Sequence, residues 1–439
     1  MLWKKFKRTF YFVVASYFGF WAKMVLKRWR PRIVVVTGSS GKTTALHLVE
    51  AQLGEKAIYS HHANSTFGVP FHILGLKRRN YHVLGWFVLA IRAPFQSLKK
   101  TPEQKIYVVE ADSDRVREGQ FLARLLQPDV VMWVSSGRTH SMNFDKLVDN
   151  GTFLSVEEAV AFGFGFFIEN ARELVLLNAD DNHIATQVER AKVKVKELHK
   201  SELLAHYEIK DGATHFRTQR DNEYVVPALL PEVSFYGVAM THMLMKFLGQ
   251  PFDNQFKKYE HPPGRSSLFK ASSGAKLFDS SYNANFASMQ ASLNLFAQLP
   301  GKKRWAVVGD MIEQGEGERK EHERLADLIM EHNNFERIIL MGPRVKRFTK
   351  PALKKQLDGK VKVVDFEEPK PLLDYLAKEL GKNELVFFKG ARFLEGVIEH
   401  LLADKSDADK LCRREPLWQK HRTKWGVGPA GESDSESQS

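Results

Sequence analysis

Residues 33–50, IVVVTGSSGKTTALHLVE, contain the side chains most suited to binding phosphate. The glycines let backbone amides turn toward an anion, Lys42 supplies an ammonium that reaches terminal phosphates, and Thr43 supplies a hydroxyl for Mg²⁺. The residues predicted to bind the nucleotide in this stretch are Gly38, Ser39, Ser40, Gly41, Lys42, Thr43 and Thr44. Their order therefore predicts nucleotide binding, although Val36 stands where the usual P-loop has its first glycine.

The residues on either side of this turn have the patterns needed to hold it. The β-branched run Ile33–Val36 predicts a buried strand, and apolar residues recurring at helical spacing after Thr44 predict a helix. The N-terminus of such a helix adds partial positive charge beside a bound phosphate.

Further strand-like and helical stretches alternate along the chain. This alternation predicts a mostly parallel α/β sheet for residues 32–261, with the strand around Glu110 ending in acidic residues, and a second, Rossmann-like α/β unit for 262–408. The segment YEHPPGRSS reads as the linker between them, and no G-x-G-x-x-G opens the second unit, so a dinucleotide is not implied. Residues 409–439 are predicted to be a partly disordered tail.

The composition narrows the function classes. The chain has 439 residues and a net charge of +13, and its one cysteine, Cys412, excludes a disulfide framework and a cysteine-based zinc site. No acidic residue precedes Glu50. The basic residues surround apolar aromatics and form no recognition motif, so a nucleic-acid partner is not predicted.

Two apolar segments have basic flanks. For residues 1–31, which contain the run Phe10–Ala22, a short amphipathic helix lying on an anionic membrane surface is favoured over a spanning anchor or a helix docked in the core. The segment Tyr81–Phe95 is interpreted either as a second membrane-facing surface or as a buried helix. The predicted location is cytoplasmic, peripheral at the inner face of the cell membrane.

Several motifs, in order from about residue 33 to about 403, resemble those of the Mur ligases, and most closely of their MurF branch. They are VTGSSGKTT, NSTFGVP, VVEADSDRVREGQF, FDSSYNANFASMQASL, AVVGDMIEQGEGERKEH and VFFKGAR. The resemblance implies an ATP-dependent amide ligase of peptidoglycan precursor synthesis. Such an enzyme activates a muramoyl-peptide-like carboxylate as an acyl phosphate and joins it to the amine of an amino acid or dipeptide.

The resemblance also implies roles for individual residues. The catalytic residues would be Lys42, Glu110, His140 and Arg265, and Thr43, Glu110 and His140 would reach Mg²⁺ or Mn²⁺. Asp279, Asn283 and Asn285 would contact the nucleoside, and Asn64, Thr66, Lys389 and Arg392 the substrates. The alternatives are turn-capping roles for the two asparagines and plain solvated charge for Lys389 and Arg392.

Three departures from the family pattern leave other functions open. Only the basic, apolar segment precedes the phosphate loop, where the family has a domain for the UDP end of its substrate. Phe162 or Gly163 stands where the family has a carbamylated lysine, and PEVSFYGV replaces a Gly-x-His-Asn segment. The alternatives are a ligase for another substrate, such as poly-γ-glutamate, and a catalytically impaired nucleotide-binding scaffold at the membrane.

Overall fold

The structure is a computed structural model that describes residues 2–77, 83–332, 334–357, 359, 361–391 and 393–430. Arg392, which the sequence predicts to bind substrate, lies outside the described residues, as do Tyr81 and the acidic end of the chain from residue 431.

The first lobe is built on a six-stranded, fully parallel sheet with the strand order β2-β3-β1-β4-β5-β6. Its elements in chain order are α1 (Leu2–Trp29), β1 (Arg32–Thr37), α2 (Lys42–Leu53), β2 (Ala57–Tyr59), α3 (Gly68–Leu74), α4 (Val83–Ser97), β3 (Ile106–Ala111), α5 (Glu118–Leu126), β4 (Val130–Trp133), α6 (Asp145–Asp149), α7 (Val156–Glu169), β5 (Leu174–Asn178), α8 (Asn182–Ala185), β6 (Lys194–Leu198), α9 (Lys200–Leu203), β7 (Leu204–Lys210), β8 (Ala213–Thr218), β9 (Glu223–Val226) and α10 (Phe235–Phe247). Strands β7, β8 and β9 form a separate antiparallel sheet.

The central strands of this sheet are buried on both faces, which explains their nearly continuous apolar sequences. Strand β1 lies between β3 and β4, so the loops that leave the carboxyl ends of these three strands meet at one edge of the sheet. In open α/β sheets ligands bind at such a point. The predicted phosphate loop follows β1, and Glu110 lies near the end of β3.

The second lobe has its own six-stranded sheet, in the order β10-β11-β15-β12-β13-β14. Its elements are β10 (Ser267–Lys270), β11 (Lys276–Asp279), α11 (Phe286–Gln298), β12 (Lys303–Gly309), α12 (Glu318–Glu331), β13 (Phe335–Met341), α13 (Lys350–Gln356), β14 (Lys362–Phe366), α14 (Pro369–Glu379), β15 (Glu384–Lys389), α15 (Leu394–Leu401) and α16 (Pro416–Lys424). Only the β10–β11 pairing is antiparallel. Both lobes therefore have the α/β architecture that the sequence predicts.

The N-terminal helix lies within the predicted residues 1–31, as α1 (Leu2–Trp29). One of its faces is part of the core of the first lobe, which is the docked arrangement that the sequence pattern favours less than a membrane-surface helix. Phe18 is buried with its ring 4.8 Å from that of Phe71, and the indole nitrogen of Trp29 donates to the carbonyl of Gln104 at 2.6 Å. None of the described helices combines the length and apolar character needed to cross a bilayer.

Helix α4 packs beside α1 and is neither wholly buried nor wholly exposed. Leu89 and Ala93 face the core. A row of apolar side chains on its other side is exposed to solvent, namely Leu84, Phe87, Val88, Ile91 and Phe95. The hydroxyl of Tyr17 on α1 donates to the carbonyl of Ala90 at 2.8 Å, which joins the two helices.

Candidate active site

The phosphate loop depends on two glycines. Gly38 has a φ of +135°, and a Cβ at this position would lie 2.6 Å from the carbonyl oxygen of Ser135. Gly41 has a φ of +79° and immediately precedes α2. Side chains are strained at positive φ, and Ser135 leaves no room for a Cβ at residue 38. Glycine is therefore needed for the loop to lie against the segment that follows β4. The amide of Ser39 donates to the Ser135 carbonyl at 3.1 Å and fixes this approach.

Lys42 lies inside the loop and is surrounded by oxygen atoms. Its Nζ donates to the carbonyl of Gly38 at 2.6 Å and forms an ion pair with Oδ1 of Asp112, also at 2.6 Å. Burial lowers the pKa of Lys42, but the neighbouring carboxylates of Asp112, Glu110 and Asp114 outweigh this effect and raise its pKa above the ordinary value. The ammonium is therefore charged at neutral pH, as phosphate binding requires.

Thr43 of the phosphate loop is contacted by Glu110 of the first lobe and by Arg265 of the second. Its Oε2 accepts a hydrogen bond from the hydroxyl of Thr43 at 2.9 Å, and its Oε1 accepts one from the amide of Asn64 at 3.2 Å. Arg265, at the start of the second lobe, donates from Nη2 to the same Thr43 hydroxyl at 3.1 Å and lies over the ring of Tyr282. The sequence-predicted residues Thr43, Glu110, Asn64 and Arg265 are thus in one hydrogen-bonded group.

His140 forms a second link between the lobes. One ring nitrogen contacts Asp114 at 3.2 Å and the other contacts Glu313 of the second lobe. Burial lowers the pKa of His140, but these two carboxylates outweigh it and raise the pKa above the ordinary value. In this arrangement neither ring nitrogen is free, whereas the sequence predicts a metal ligand at this position.

The second lobe contributes the turn after β11 and the end of β15. The side chain of Asn285 caps α11 by accepting from the amide of Ser288 at 2.9 Å, and Asn283 accepts from the amide of Ala284. The capping role considered for these asparagines is therefore present, although both also line the cavity described next. Nζ of Lys389 is buried and donates to the carbonyl of Asn283 at 3.0 Å.

A cavity of about 580 Å³ lies between the lobes. Its walls include the phosphate loop, Glu110, His140, Arg265 and Lys389. This volume is in the range of sites for nucleotide-sized ligands. Residues that the sequence places about 350 positions apart therefore face one space.

Three predicted site residues, Gly38, Thr66 and Asp279, do not line this cavity. Thr66 is completely buried, and both its amide and its hydroxyl donate to Oε1 of Glu118. Asp279 is also completely buried, and its Oδ1 accepts from the amide of Ser281 at 2.9 Å. This hydrogen bond supports the turn after β11.

Sequence reasoning missed three acidic residues of the site. Asp112 and Asp114 follow Glu110 in the segment EADSD, directly after a buried strand, and that position was the available signal. Glu313 gave no local signal, because only the approach of the two lobes brings it to His140.

The donor set at the phosphate loop suits a hard divalent cation. The carboxylates of Glu110, Asp112 and Asp114 and the hydroxyl of Thr43 gather around a single lysine, and oxygen donors of this kind are the ligands Mg²⁺ prefers. Thr43 and Glu110 are the residues that would hold Mg²⁺ beside the phosphates.

Comparison with known protein families matches both lobes. The Mur ligase middle domain matches residues 36–227, and the Mur ligase glutamate ligase domain matches residues 264–392. The chain belongs to the Mur ligase family. The α/β fold, the family and its ATP- and Mg²⁺-dependent ligase chemistry, of the acid–amino-acid type, are confirmed as the sequence predicts.

Relatives of this Mur ligase include two named UDP-N-acetylmuramoyl-tripeptide–D-alanyl-D-alanine ligase. That of Bacillus subtilis is 24% identical over 398 residues, covering 87% of this chain and 78% of the relative. That of Borreliella burgdorferi is 24% identical, covering 85% and 74%. Among solved structures, MurF ligase from Thermotoga maritima in complex with ADP shares the fold with a TM-score of 0.70 and 21% identity, covering 90% and 84% of the two chains.

Phe162 or Gly163 stands at the position of the family's carbamylated lysine in this Mur ligase. A Cβ at Gly163 on α7 would lie 2.4 Å from Oγ of Ser113, so a side chain there requires the Ser113 hydroxyl to move. The guanidinium of Arg190 lies over Phe162, with Cζ 4.5 Å from the centroid of the phenylalanine ring. Neither residue lines the cavity, so any oxygen ligand that replaces the carbamate comes from another element.

Lys389 gives this Mur ligase a testable pH dependence. Burial lowers the pKa of Lys389, and the nearby charge of Arg265 lowers it further. The carboxylate of Asp279 raises it by less, and the resulting pKa is about 7. Between pH 7 and 10 the unfolded chain binds a proton that the folded chain has lost, so the free energy of unfolding should rise with pH. One fully shifted group contributes at most about 1.4 kcal/mol per pH unit.

In Lys389→Met this contribution is absent. Urea denaturation of both proteins from pH 7 to pH 9 should therefore give a smaller rise for the variant than for the wild type. An equal rise in the free energy of unfolding of the two proteins would show that burial does not lower the pKa of Lys389.

Proposed function

We propose that this Mur ligase is of the MurF type and joins a dipeptide such as D-alanyl-D-alanine to the carboxylate of a muramoyl tripeptide. The observation that carries the proposal is the contact of Arg265 with Thr43, because it brings a cation of the second lobe to the phosphate loop of the first. The names of the relatives supply the substrate class.

The residues of the cavity support two successive steps. In the first, a carboxylate oxygen of the acceptor attacks the γ-phosphorus of ATP, ADP leaves, and an acyl phosphate forms. In the second, the amine attacks the acyl carbon, loses a proton and expels inorganic phosphate. Lys42, Arg265 and the loop amides stabilise the charge that builds on the transferred phosphoryl group. Mg²⁺, when bound, supplies further neutralisation of the phosphates.

His140 and Glu313 favour the closed arrangement in which these steps occur. Their ion pair joins the lobes at a second place besides the Arg265 contact, and the amide of Glu316 adds a hydrogen bond to Asp145 at 3.1 Å. Closure excludes water, which would otherwise hydrolyse an acyl phosphate.

The proposal is tested with purified protein, ATP, Mg²⁺, UDP-muramoyl tripeptide and D-alanyl-D-alanine. ADP and the amide product should appear together, and only when both the muramoyl tripeptide and D-alanyl-D-alanine are present. A panel of single amino acids with γ-glutamyl acceptors tests the alternative ligase, and turnover confined to that panel would contradict the MurF assignment. Absence of turnover with every acceptor would favour the scaffold.

We also infer that α1 and α4 face an anionic membrane surface. Besides the exposed row on α4, helix α1 exposes a second row at helical spacing, Val13, Tyr17, Phe20 and Met24. Exposed basic residues lie within these rows or just beyond them, namely Lys23, Lys27, Arg28, Arg92, Lys99 and Lys100. Exposed apolar rows with basic neighbours are typical of surfaces that enter the headgroup layer of anionic lipid.

Flotation with vesicles measures this association. Leu84→Gln/Phe87→Gln/Ile91→Gln should lower binding to vesicles containing phosphatidylglycerol at least about tenfold, because three apolar side chains no longer enter the lipid. Leu154→Gln is the matched control, since Leu154 is 93% exposed but belongs to neither row. Circular dichroism checks the fold. Equal binding of the triple variant and the control would place the contact surface elsewhere.

A further inference from the structure

Three side chains with metal-binding chemistry meet on α2 outside the nucleotide cavity. His47 and Glu50 are three residues apart on this helix, and His61 follows β2. One ligand atom from each lies within 4.8 Å of the others. Among the residues that the structure describes, this is the one group of three histidine, cysteine or acidic ligand atoms so close together.

The distances fit a small divalent ion. Nε2 of His61 lies 3.0 Å from Oε1 of Glu50, and Nδ1 of His47 lies 3.6 Å from its Oε2. Ligand atoms about 2.0–2.1 Å from a tetrahedral Zn²⁺ are about 3.4 Å apart. The two separations from Glu50 are close to this value, and the ligand atoms of the two histidines lie within 4.8 Å of each other. Coordination of one ion therefore requires a modest approach of the two imidazole rings, whose centroids are 5.0 Å apart.

One of these ligand atoms has no hydrogen-bond partner within the described structure. Nδ1 of His47 is buried and makes no hydrogen bond in the described structure. A buried polar atom without a partner costs stability unless something binds it. The side chains of His61 and Glu50 are about one third exposed, which gives an ion access from solvent.

We propose that His47, Glu50 and His61 bind one divalent transition-metal ion, with Zn²⁺ as the representative member of the class. Two imidazoles and one carboxylate are a common donor set for this ion, and the fourth position would hold water. The site is separate from the oxygen-rich Mg²⁺ position at Thr43 and Glu110, and its imidazole donors select against Mg²⁺.

The location of this site gives the ion a structural consequence. Thr43 lies one helical turn before His47 on α2, and His61 is next to Ser60, whose hydroxyl accepts a hydrogen bond from the amide of Glu110 at 2.9 Å. A bound ion would therefore cross-link the helix of the phosphate loop to the segment that supports Glu110. Zinc binding should stabilise the first lobe whether or not the chain is a MurF-type ligase.

The test is calorimetric titration of the full chain with Zn²⁺ after removal of metals and saturation with Mg²⁺ and ADP. The wild type should bind one equivalent, and His61→Gln should weaken the binding at least about tenfold. His215→Gln is the matched control, because Nδ1 of His215 also lies 3.0 Å from a glutamate, Glu223, without a third ligand. Absence of binding by the wild type, or equal binding by His61→Gln, would overturn the proposal.

A second readout separates ion binding from an effect on folding. Zn²⁺ should raise the melting temperature of the wild type and of His215→Gln but not of His61→Gln. Co²⁺ should give the intense visible absorption of a four-coordinate site in the wild type only. If His61→Gln does not fold, Glu50→Gln replaces it in both measurements, with the same expected loss and the same contradicting result.

Discussion

Replacing Lys42 with methionine should lower the rate of acceptor-dependent ADP formation by about a thousandfold or more. Lys42 is the lysine of the phosphate loop, and its Nζ donates to the loop carbonyl of Gly38 and pairs with Asp112. Loss of one preorganised charge at a transferring phosphoryl group costs several powers of ten in rate. Steady-state measurement of ADP with both acceptors present gives the value.

The control for this variant follows from the ion pair of Lys42. Methionine leaves the carboxylate of Asp112 buried without its partner, which by itself costs about 3–5 kcal/mol of stability. The double variant Lys42→Met/Asp112→Asn removes that charge and should recover the melting temperature without recovering turnover. Turnover close to wild type in the double variant would show that Lys42 stabilises the fold and takes no part in the reaction.

Arg265→Met should lower kcat by about a hundredfold to a thousandfold while changing the affinity for ATP much less. Arg265 reaches the phosphate loop from the second lobe through the Thr43 hydroxyl, so its charge acts only when the lobes are together. A cation supplied from another element in this way stabilises the phosphoryl-transfer transition state more than the bound nucleotide. Nucleotide affinity by calorimetry and kcat by ADP formation separate the two effects.

Arg265→Lys is the matched variant, because it keeps the positive charge but loses the guanidinium that lies over Tyr282. It should recover part of the rate. A kcat of Arg265→Met within about threefold of wild type would contradict the role assigned to this residue.

The local motifs predicted the parts of the site that local chemistry determines. The phosphate loop is where residues 37–43 place it, because glycine, lysine and threonine act there through backbone conformation and short contacts. The role of Glu110 was implied by the resemblance to the Mur ligases, and its place near the carboxyl end of a parallel strand supports that role.

The sequence could not show features that depend on long-range packing. Thr66 matches a family motif, but its burial against Glu118 depends on a residue 52 positions away. The pairing of Glu313 with His140 depends on the approach of two lobes.

Helix α1 shows the same limit most clearly. Its apolar residues cover more than one face, and their spacing alone does not distinguish a face that packs on protein from one that meets lipid. The structure assigns Phe18 and Trp29 to the core and leaves Val13 and Phe20 exposed. The prediction of a membrane-facing helix did not include the face of α1 that packs on the first lobe.

The central claim is that a carboxylate receives the terminal phosphoryl group of ATP before the amine attacks. Transfer of an isotopic label tests this claim most directly. UDP-muramoyl tripeptide labelled with ¹⁸O in its terminal carboxylate is given to the enzyme with ATP, Mg²⁺ and D-alanyl-D-alanine. Inorganic phosphate should carry one carboxylate oxygen for each amide bond formed. Phosphate released without label, or released in the absence of the labelled acceptor, would contradict the account.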